Sequence, residues 1–396
     1  MKHRIVVLGA GYAGASAAGR LARRLRPEGA QITLVNAEPD FVERVRLHQL
    51  AAGQDLAPRP LADMFAGTGV RLRLGRVRSV DVERRTAALE EGGPIAYDTL
   101  VYALGSATAG HGTPGVAEHA HEIASRPGAL RLRERLAALE AGGRVLVVGG
   151  GLTGLEAVTE IAEARPDLDV AIAVRGGLGD WLSGKGRDHL RGVAERLGVT
   201  VHEHASATRV GPEGVLVEDG RAIASDATVW TTGFAVHPIA AASALEVAGN
   251  GQIVVDATMR SVSHPEVYAV GDAALAAGPG GEPLRMSCAS GVPTAWQAAD
   301  AIAARLTGRK VPKVPLRYFN QCVSLGRRDG LIQFVTADDR SKDAVLKGRA
   351  AARYKEVVCR GAAWGVAHPT VGMPTRRRPL AARPAPAGAI AEAPAR

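Results

Sequence analysis

The chain has 396 residues, of which 46% are hydrophobic, 22% charged and only 4% aromatic. At roughly 100–200 residues per domain, this length predicts two or three globular domains with aliphatic cores. No apolar run reaches the roughly 18 residues that a bilayer-spanning helix needs. The N-terminal strand also runs into a glycine turn before a signal sequence could form. We therefore expect a cytoplasmic protein.

The net charge of +9 comes from the C-terminal end of the chain. Residues 340–396 hold 12 Lys or Arg against three acids, so residues 1–339 carry no net charge. A nucleic-acid-binding protein would carry its basic residues on a folded binding face, and we expect no nucleic-acid partner. The three cysteines are far apart and form no CxxC pair. We expect them to be reduced thiols, and we expect no metal centre.

Two segments of the chain have the same organisation. The first starts at Arg4 (RIVVLGAGYAGASAAGRLARRL, then QITLVN), and the second starts at Arg144 (RVLVVGGGLTGLEAVTEIAEA, then DVAIAVR). Each has a short apolar strand, a glycine turn, a helix with apolar residues three and four apart, and a second strand, which is a βαβ unit. The repeat predicts an α/β fold with two Rossmann-like dinucleotide-binding domains.

The first glycine turn contains Gly9, Gly11 and Gly14, spaced as GxGxxG between a strand and a helix. In such a turn the first glycine permits the tight bend, the second lets a pyrophosphate approach the backbone, and the third allows close helix–strand packing. A ribose contact is expected about 20 residues further on. Asn36 stands there instead of the usual acid, with Glu38 as the competing candidate.

The second glycine turn contains Gly149, Gly151 and Gly154, and Arg175 follows at the end of the next strand. An acid at this position would accept hydrogen bonds from the ribose of NAD, whereas an arginine can bind the 2′-phosphate of NADP. The sequence therefore favours NADPH, with NADH as the alternative. Two dinucleotide folds in one chain predict a bound flavin, FAD, and an exchangeable NAD(P)H, because hydride transfer requires contact between the two rings.

Three further stretches follow in order over roughly residues 4–306: YDTLVYALGS, TVWTTGF and EVYAVGDAA. With the two turns they resemble the two-dinucleotide-binding flavoproteins of the pyridine-nucleotide-disulfide reductase superfamily. On this basis we expect an FAD domain formed by residues 1–110 and 250–310, and an NAD(P)H domain of residues 111–249 inserted into it. A small C-terminal α/β segment at 311–372 and a disordered basic Pro/Ala-rich tail at 373–396 complete the chain.

Within that superfamily the chain most resembles the type II NADH dehydrogenases (NADH:quinone oxidoreductases). The resemblance implies that Glu156, in the segment GLTGLE, lies close to nicotinamide and flavin as a catalytic residue. It also implies a helix starting near Gly291 whose N-terminal amides face the flavin. The further positions that it implies are Val77, Gly105, Gly271, Asp272, Thr294 and Ala295 for FAD, and Gly233 for NAD(P)H. The implied electron acceptor is a quinone or a quinone-like molecule.

Trp296 and Asp300 depart from this resemblance, because those dehydrogenases carry glutamines there in an element associated with quinone. One alternative is therefore a flavoenzyme that tailors a specialised metabolite. Two others are a ferredoxin reductase-like protein and a slow-turnover flavoprotein that senses nicotinamide. The absence of CxxC argues against a disulfide reductase.

Other candidate residues lie outside these motifs. His48 could approach the flavin or be a structural residue, and His202 and His204 alternate on a predicted strand. If residues 349–364 are helical, basic residues share one sector, and Tyr354, Val357, Val358 and Trp364 share the adjacent one. That pattern is compatible with peripheral contact with an anionic membrane. The alternatives are a helix that packs on the flavin domain or on a second copy in a homodimer.

Overall fold

The computed structural model describes residues 1–312, 315–368 and 376–381 and confirms the predicted α/β class. The strands of these residues are β1 His3–Leu8, β2 Ala30–Asn36, β3 Val70–Leu74, β4 Val77–Asp81, β5 Thr86–Leu89, β6 Ile95–Ala96, β7 Thr99–Tyr102, β8 Ser106–Thr108, β9 Ala120–His121, β10 Arg144–Val148, β11 Asp169–Ala173, β12 Thr200–His202, β13 Ala207–Gly211, β14 Gly214–Val217, β15 Ala222–Ala224, β16 Ala227–Trp230, β17 Phe234–Val236, β18 Ile253–Val254, β19 Val267–Ala269, β20 Ala274–Leu275, β21 Asn320–Ser324, β22 Gly330–Val335 and β23 Ser341–Lys347. The helices are α1 Tyr12–Arg24, α2 Leu47–Ala51, α3 Leu61–Met64, α4 Val116–His119, α5 Arg126–Ala137, α6 Leu152–Ala164, α7 Gly184–Arg196, α8 Cys288–Leu306 and α9 Gly348–Ala367.

The first parallel sheet has the strand order β19-β7-β1-β2-β3. Strand β1 pairs with β2 on one side and with β7 on the other. Its residues from Ile5 to Leu8 are at most 1% exposed, as expected for a central strand covered on both faces. Strand β19, which follows Asn250 by some distance in the chain, joins the same sheet beside β7. The chain therefore returns to this sheet after building the second one.

The second parallel sheet has the order β12-β11-β10-β16-β9 and repeats the arrangement around β10. Strands β8 and β17 form a short antiparallel pair between the two units. Strand β8 follows β7 of the first sheet, and β17 follows β16 of the second. Two three-stranded antiparallel sheets, β4-β5-β6 and β13-β14-β15, complete the two halves. The unit built on the second sheet is thus inserted in the unit built on the first.

The C-terminal segment forms the antiparallel sheet β21-β22-β23 followed by α9. One face of α9 packs on α1 and on its own sheet, through Ala351, Cys359, Ala363 and Val366. Of the tail predicted to be disordered, residues 376–381 are described and lie against the first unit. Arg378 pairs with Leu25, and the Ala381 N–H donates to the Leu306 carbonyl at 2.9 Å. The remaining tail lies outside the described residues.

No helix in the described part of the chain combines the length and the apolar character that crossing a bilayer would require.

Candidate functional site

The first glycine turn lies between β1 and α1 and is tightly packed at two of its three glycines. A Cβ on Gly9, whose φ is +93°, would lie 2.4 Å from the Ala103 carbonyl oxygen, and one on Gly14 would lie 1.8 Å from the Gly9 oxygen. A Cβ on Gly11 meets no atom within 4 Å. Helix α1 starts after Gly11 without a side-chain cap. Its first-turn N–H groups therefore border an open space suited to a phosphate.

Asn36 braces this turn. Its Oδ1 accepts a hydrogen bond from the Ala10 N–H at 2.9 Å, and its Nδ2 donates to the Glu38 carbonyl at 2.8 Å. The Asn36 amide is thus already engaged by the protein. Glu38, half-buried at the end of β2, is the better placed ribose candidate of the two.

A cleft of about 510 Å³ opens beside the ends of β2 and β3, lined in part by Ala37, Leu74, Gly75 and Arg76. Two of its lining residues are chain neighbours of predicted FAD contacts: Ala37 precedes Glu38, and Arg76 precedes the buried Val77. The cleft therefore adjoins the segment that carries Glu38.

Arg44 and Asp272 form a polar cluster beside Gly105 and Ser106. The Arg44 Nη1 is 3.6 Å from Asp272 Oδ2 and donates to the Ser106 carbonyl at 2.9 Å, and the Ser106 hydroxyl donates to Asp272 at 2.6 Å. Gly105 next to them has a φ of +69°. The Arg44 Nη2 is buried without a hydrogen-bond partner among the described residues. Burial lowers the pKa of Arg44, opposed by Asp272, and an anionic ligand would satisfy the free nitrogen.

Helix α8 closes the first site. It begins at Cys288, three residues before the predicted start at Gly291, so that Thr294 and Ala295 lie inside the helix and are buried. Thr294 and Ala295 therefore do not lie in the first turn of the helix, where the sequence predicts them to present free N–H groups. Instead, the Thr294 hydroxyl accepts a hydrogen bond from the N–H of Gly271 at 3.2 Å and so fixes the turn after β19.

The second glycine turn repeats the geometry of the first. A Cβ on Gly149, with φ +123°, would lie 2.7 Å from the Thr231 carbonyl oxygen, and one on Gly154 would lie 1.9 Å from the Gly149 oxygen. A Cβ on Gly151 again meets nothing within 4 Å, and α6 starts there without a side-chain cap. The two turns therefore offer the same kind of open phosphate cradle.

Arg175 is exposed at the end of β11, where the predicted 2′-phosphate contact requires it. The Trp181 indole, beyond Arg175 in the chain, donates to the Gly150 carbonyl at 3.2 Å. Gly233, after β16, has φ +148°, and a Cβ there would lie 3.1 Å from His111 Nε2. Arg175 and Gly233 thus lie in the segments that follow β11 and β16, the two strands that flank β10 in the second sheet.

Glu156, on α6, forms a buried ion pair with Lys355 of α9. The Lys355 Nζ lies 2.9 Å from Glu156 Oε1, and the Ser324 N–H donates to the same oxygen at 3.1 Å. Burial favours a raised pKa for Glu156, but the Lys355 ammonium outweighs it and holds the pKa below its usual range. In the same way burial opposes the Lys355 charge, and Glu156 raises its pKa. Both groups are therefore charged at neutral pH.

His48 completes this cluster from the first unit. Its Nε2 lies 3.3 Å from the Ser324 hydroxyl and its Nδ1 lies 3.9 Å from Glu156 Oε2. Burial lowers the pKa of His48 to about 4, so the imidazole is neutral and its approach to Glu156 is not an ion pair. The cluster brings together side chains from α2, α6, β21 and α9, and so joins all three parts of the fold.

The sequence did not identify Arg44, Lys355 or Ser324. For Lys355 a signal existed, because this residue interrupts a stripe of small or apolar residues at four-residue intervals, Ala351 and Cys359. A lysine on an otherwise buried helix face predicts a buried partner.

The remaining candidate residues are not part of the site. Strand β12 ends at His202, and His204 adopts a φ of +51° in the following turn, so the two imidazoles do not alternate on one strand as predicted. The described residues contain no grouping of three or more ligands that could hold a metal ion. Asp300 pairs with Arg20 at 2.6 Å, and Trp296 lies under the same guanidinium, so both hold α8 to α1.

The residues around the first turn fit an extended dinucleotide such as FAD. The open space at Gly11 suits its pyrophosphate, the unpartnered Arg44 Nη2 suits an anionic or polar group, and the cleft beyond Glu38 suits the adenosine.

Comparisons with known proteins agree with this geometry. Residues 3–303 match the family model of the pyridine nucleotide-disulphide oxidoreductases. An NADH dehydrogenase-like protein of Mycobacterium tuberculosis is 31% identical over 315 residues, which cover 73% of this chain and 77% of that protein. A type II NADH:quinone oxidoreductase of the same organism is 27% identical, covering 68% of this chain and 66% of that protein.

Among solved structures, NDH2 of Plasmodium falciparum in complex with NADH superposes with a TM-score of 0.76, at 14% identity, covering 94% of this chain and 98% of that one. At this identity the likeness shows the fold. The two glycine turns, the order of the sheets and the family match lead to one conclusion: the chain belongs to the pyridine nucleotide-disulphide oxidoreductase family of NAD(P)H-dependent flavoproteins.

Proposed function

We propose that the chain binds FAD on residues 1–110 and 250–310 and NAD(P)H on residues 111–249, and transfers electrons from NAD(P)H to a quinone or quinone-like acceptor. Relatives named as a type II NADH:quinone oxidoreductase and as a demethylphylloquinone reductase support the acceptor class. The FAD, when bound, accepts a hydride from the nicotinamide and releases two electrons to the acceptor. The chain itself must hold the two nucleotides, exclude water and stabilise the charge that the acceptor gains.

The observation that carries the proposal is the buried Glu156–Lys355 pair. A quinone oxygen gains negative charge as it takes up electrons, and Lys355 carries an ammonium on a 16% exposed side chain, held by Glu156 and by the Cys322 carbonyl at 3.1 Å. His48 beside it is neutral, and Glu156 raises the pKa of Lys355, so the ammonium keeps its charge and serves as a charged hydrogen-bond donor. It therefore suits an acceptor whose oxygen gains negative charge as it is reduced.

The same observation separates this proposal from a ferredoxin reductase-like function. An iron–sulfur partner takes single electrons and builds up no negative charge on an oxygen at the site. A slow nicotinamide sensor likewise needs no cation for an acceptor. A buried ion pair costs desolvation free energy, and a chemical role explains its presence at the junction of the three parts better than packing alone.

Rapid mixing of the yellow protein with NADH or NADPH, followed by a panel of acceptors, tests the proposal. We expect fast loss of flavin absorbance and its fast return with benzoquinones or naphthoquinones. Return with ferredoxin alone would support the one-electron alternative. A reduced complex that persists with every acceptor would support the sensor.

We also propose that NADPH is preferred, since Arg175 is exposed and free to face a 2′-phosphate.

The outer face of α9 supports peripheral contact with an anionic membrane. Val357 is 69% exposed and Trp364 is 52% exposed, and Phe319, next to the strand that contacts Tyr354, is 72% exposed. Arg349 and Arg353 are also exposed on this helix. Large apolar side chains with flanking arginines bind headgroups and the outer acyl region together. The inner face of α9 packs on α1, so the helix can serve both purposes.

A further inference from the structure

The segment between β11 and α7 lies against the second glycine turn at both of its ends. At its start, a Cβ on Gly150 would lie 2.8 Å from Val174 Cγ1. Towards its end, the Trp181 indole donates to the Gly150 carbonyl at 3.2 Å. One residue of the glycine turn therefore contacts both ends of the segment, and Arg175 and Asp180 lie between these two contacts.

The carboxylate of Asp180 lies over the two residues that follow Arg175. Its Oδ2 accepts a hydrogen bond from the Gly177 N–H at 2.5 Å. A Cβ on Gly176 would lie 2.6 Å from the same oxygen, so a glycine is needed to leave this space to the carboxylate. The Gly176 carbonyl in turn accepts from the His204 N–H at 3.1 Å, which fixes the backbone beside Arg175. The Asp180 charge is therefore held next to the residue that we expect to bind a 2′-phosphate.

Glu203 is a second carboxylate bound to this segment, and its charge is paired. Its Oε1 accepts a hydrogen bond from the Leu178 N–H at 2.6 Å and forms an ion pair with Arg191. Asp180 is exposed, and among the described residues it forms no salt bridge with a lysine or an arginine. The carboxylate nearest to Arg175 along this segment thus retains its full negative charge towards a ligand.

This arrangement affects the two nicotinamides differently. NADPH differs from NADH by a 2′-phosphate, and a phosphate monoester carries a charge of about −1.5 to −2 at pH 7. Phosphates bind to backbone N–H groups as well as to arginine. The Gly177 N–H, two residues after Arg175, is a donor of this kind, but Asp180 already occupies it. The carboxylate therefore both blocks the donor and repels the phosphate, whereas the ribose hydroxyl of NADH meets no such repulsion.

We propose that Asp180 is a specificity-determining residue that lowers the affinity of the nucleotide site for a 2′-phosphate and so limits the preference that Arg175 gives to NADPH. This inference rests on the proposed binding of NAD(P)H at the second glycine turn. NADPH binds after the Asp180 carboxylate has left the Gly177 N–H, and NADH binds with this hydrogen bond intact. The choice of nicotinamide is set by the balance of one cation and one carboxylate on the same segment.

The variant Asp180→Asn tests this proposal, because the amide oxygen still accepts from the Gly177 N–H while the charge is removed. The probes are ADP-ribose and 2′-phospho-ADP-ribose, titrated calorimetrically into the FAD-loaded protein. They differ only in the 2′-phosphate and carry no nicotinamide, so their binding does not depend on electron transfer. We expect Kd for 2′-phospho-ADP-ribose to fall about tenfold and Kd for ADP-ribose to change by less than about twofold.

Two further measurements accompany this titration. The difference between Asp180→Asn and the unmodified protein should shrink as the salt concentration is raised, because ions screen exposed charges. Asp188→Asn removes the same charge from an exposed position on α7 and is the matched control, which should change neither affinity.

Two outcomes overturn the role of Asp180. If Asp180→Asn leaves both affinities unchanged, the carboxylate does not act on the nucleotide. If it strengthens or weakens the binding of both probes equally, Asp180 is a structural residue of the segment.

Failure of the proposed function gives different results. If the unmodified protein binds neither probe, the nucleotide site itself is wrong, and the role of Asp180 fails with it. If the probes bind as expected but the protein reduces no quinone, the proposed acceptor is wrong and the role of Asp180 stands.

Discussion

Lys355 and Glu156 are far apart in the chain, but their charged atoms lie 2.9 Å apart between the C-terminal helix and the helix of the second glycine turn. This contact fixes α9 to α6 and places a cation where the three parts of the fold meet. It links the stability of the C-terminal segment to the chemistry of the site.

Removing the ammonium should therefore destabilise the protein. Lys355→Met leaves the Glu156 carboxylate buried without its partner, and we expect a loss of about 3–5 kcal/mol in the free energy of unfolding. Urea denaturation measures this loss, with Lys347→Met on the exposed end of β23 as control. Adding Glu156→Gln to Lys355→Met should recover part of the loss. Additive losses would mean that the two groups do not interact.

Glu160, which is buried on α6, should make stability depend on pH. Burial raises its pKa from the ordinary 4.5 to about 7 in the folded chain, so its stabilising contribution is complete below pH 4.5 and is lost as the pH rises through 7. The difference of about 2.5 pH units corresponds to roughly 3 kcal/mol. The stability of Glu160→Gln relative to the unmodified protein should rise by this amount between pH 4.5 and pH 8. A constant difference across this range would show that Glu160 does not titrate abnormally.

Gly11 and Gly14 should respond differently to alanine. Gly14→Ala forces a Cβ to within 1.8 Å of the Gly9 oxygen, and we expect misfolding or a large loss of thermal stability. Gly11→Ala meets no protein atom, so the chain should fold, with FAD affinity lowered at least tenfold by the methyl group in the phosphate space. Thermal melting and FAD titration distinguish the two effects. Gly192→Ala, which also meets nothing, is the control; equal FAD affinity in Gly11→Ala and this control would exclude the proposed cradle.

Arg175 should determine the choice of nicotinamide. Arg175→Glu replaces a cation that can pair with the 2′-phosphate by an acid that repels it, and a charge-assisted hydrogen bond contributes about 1.5–3 kcal/mol. We expect the ratio of kcat/KM for NADPH to that for NADH to fall at least tenfold. Steady-state kinetics measure this ratio, with Arg209→Glu on β13 as an exposed control of equal charge change. An unchanged ratio would remove Arg175 from the nucleotide site.

The outer face of α9 should bind vesicles that contain anionic lipid. Val357→Asp places a charge at the most exposed apolar position of the helix, and sedimentation with anionic vesicles should fall several-fold. Glu134→Gln on α5, which is exposed elsewhere, should have no effect. Absence of vesicle binding by the unmodified chain would leave α9 only its packing role.

The two glycine turns were predictable because their requirements are local. Gly9 and Gly149 need positive φ and close backbone contact, and the strands on either side show their apolar character directly. Lys355 was not predictable as a partner of Glu156, since no local pattern specifies which helix packs on which. Spacing left Asn36 and Glu38 as alternative ribose contacts. It could not reveal that the Asn36 side chain already accepts a hydrogen bond from the turn.

The start of α8 shows the same limit. Pro293 suggests a helix beginning nearby, whereas the structure tolerates this proline inside the helix that begins at Cys288. The Thr294 hydroxyl there bonds to Gly271 in the other fingerprint of the same site, a tertiary contact that fixes both segments.

Anaerobic titration of the purified protein with NADPH or NADH tests the pairing of the two nucleotides most directly. The structure predicts a yellow protein with one FAD per chain whose visible absorbance is lost after one equivalent of reduced nicotinamide. A colourless protein that takes up no added FAD, or a yellow one that neither nicotinamide reduces, would contradict it.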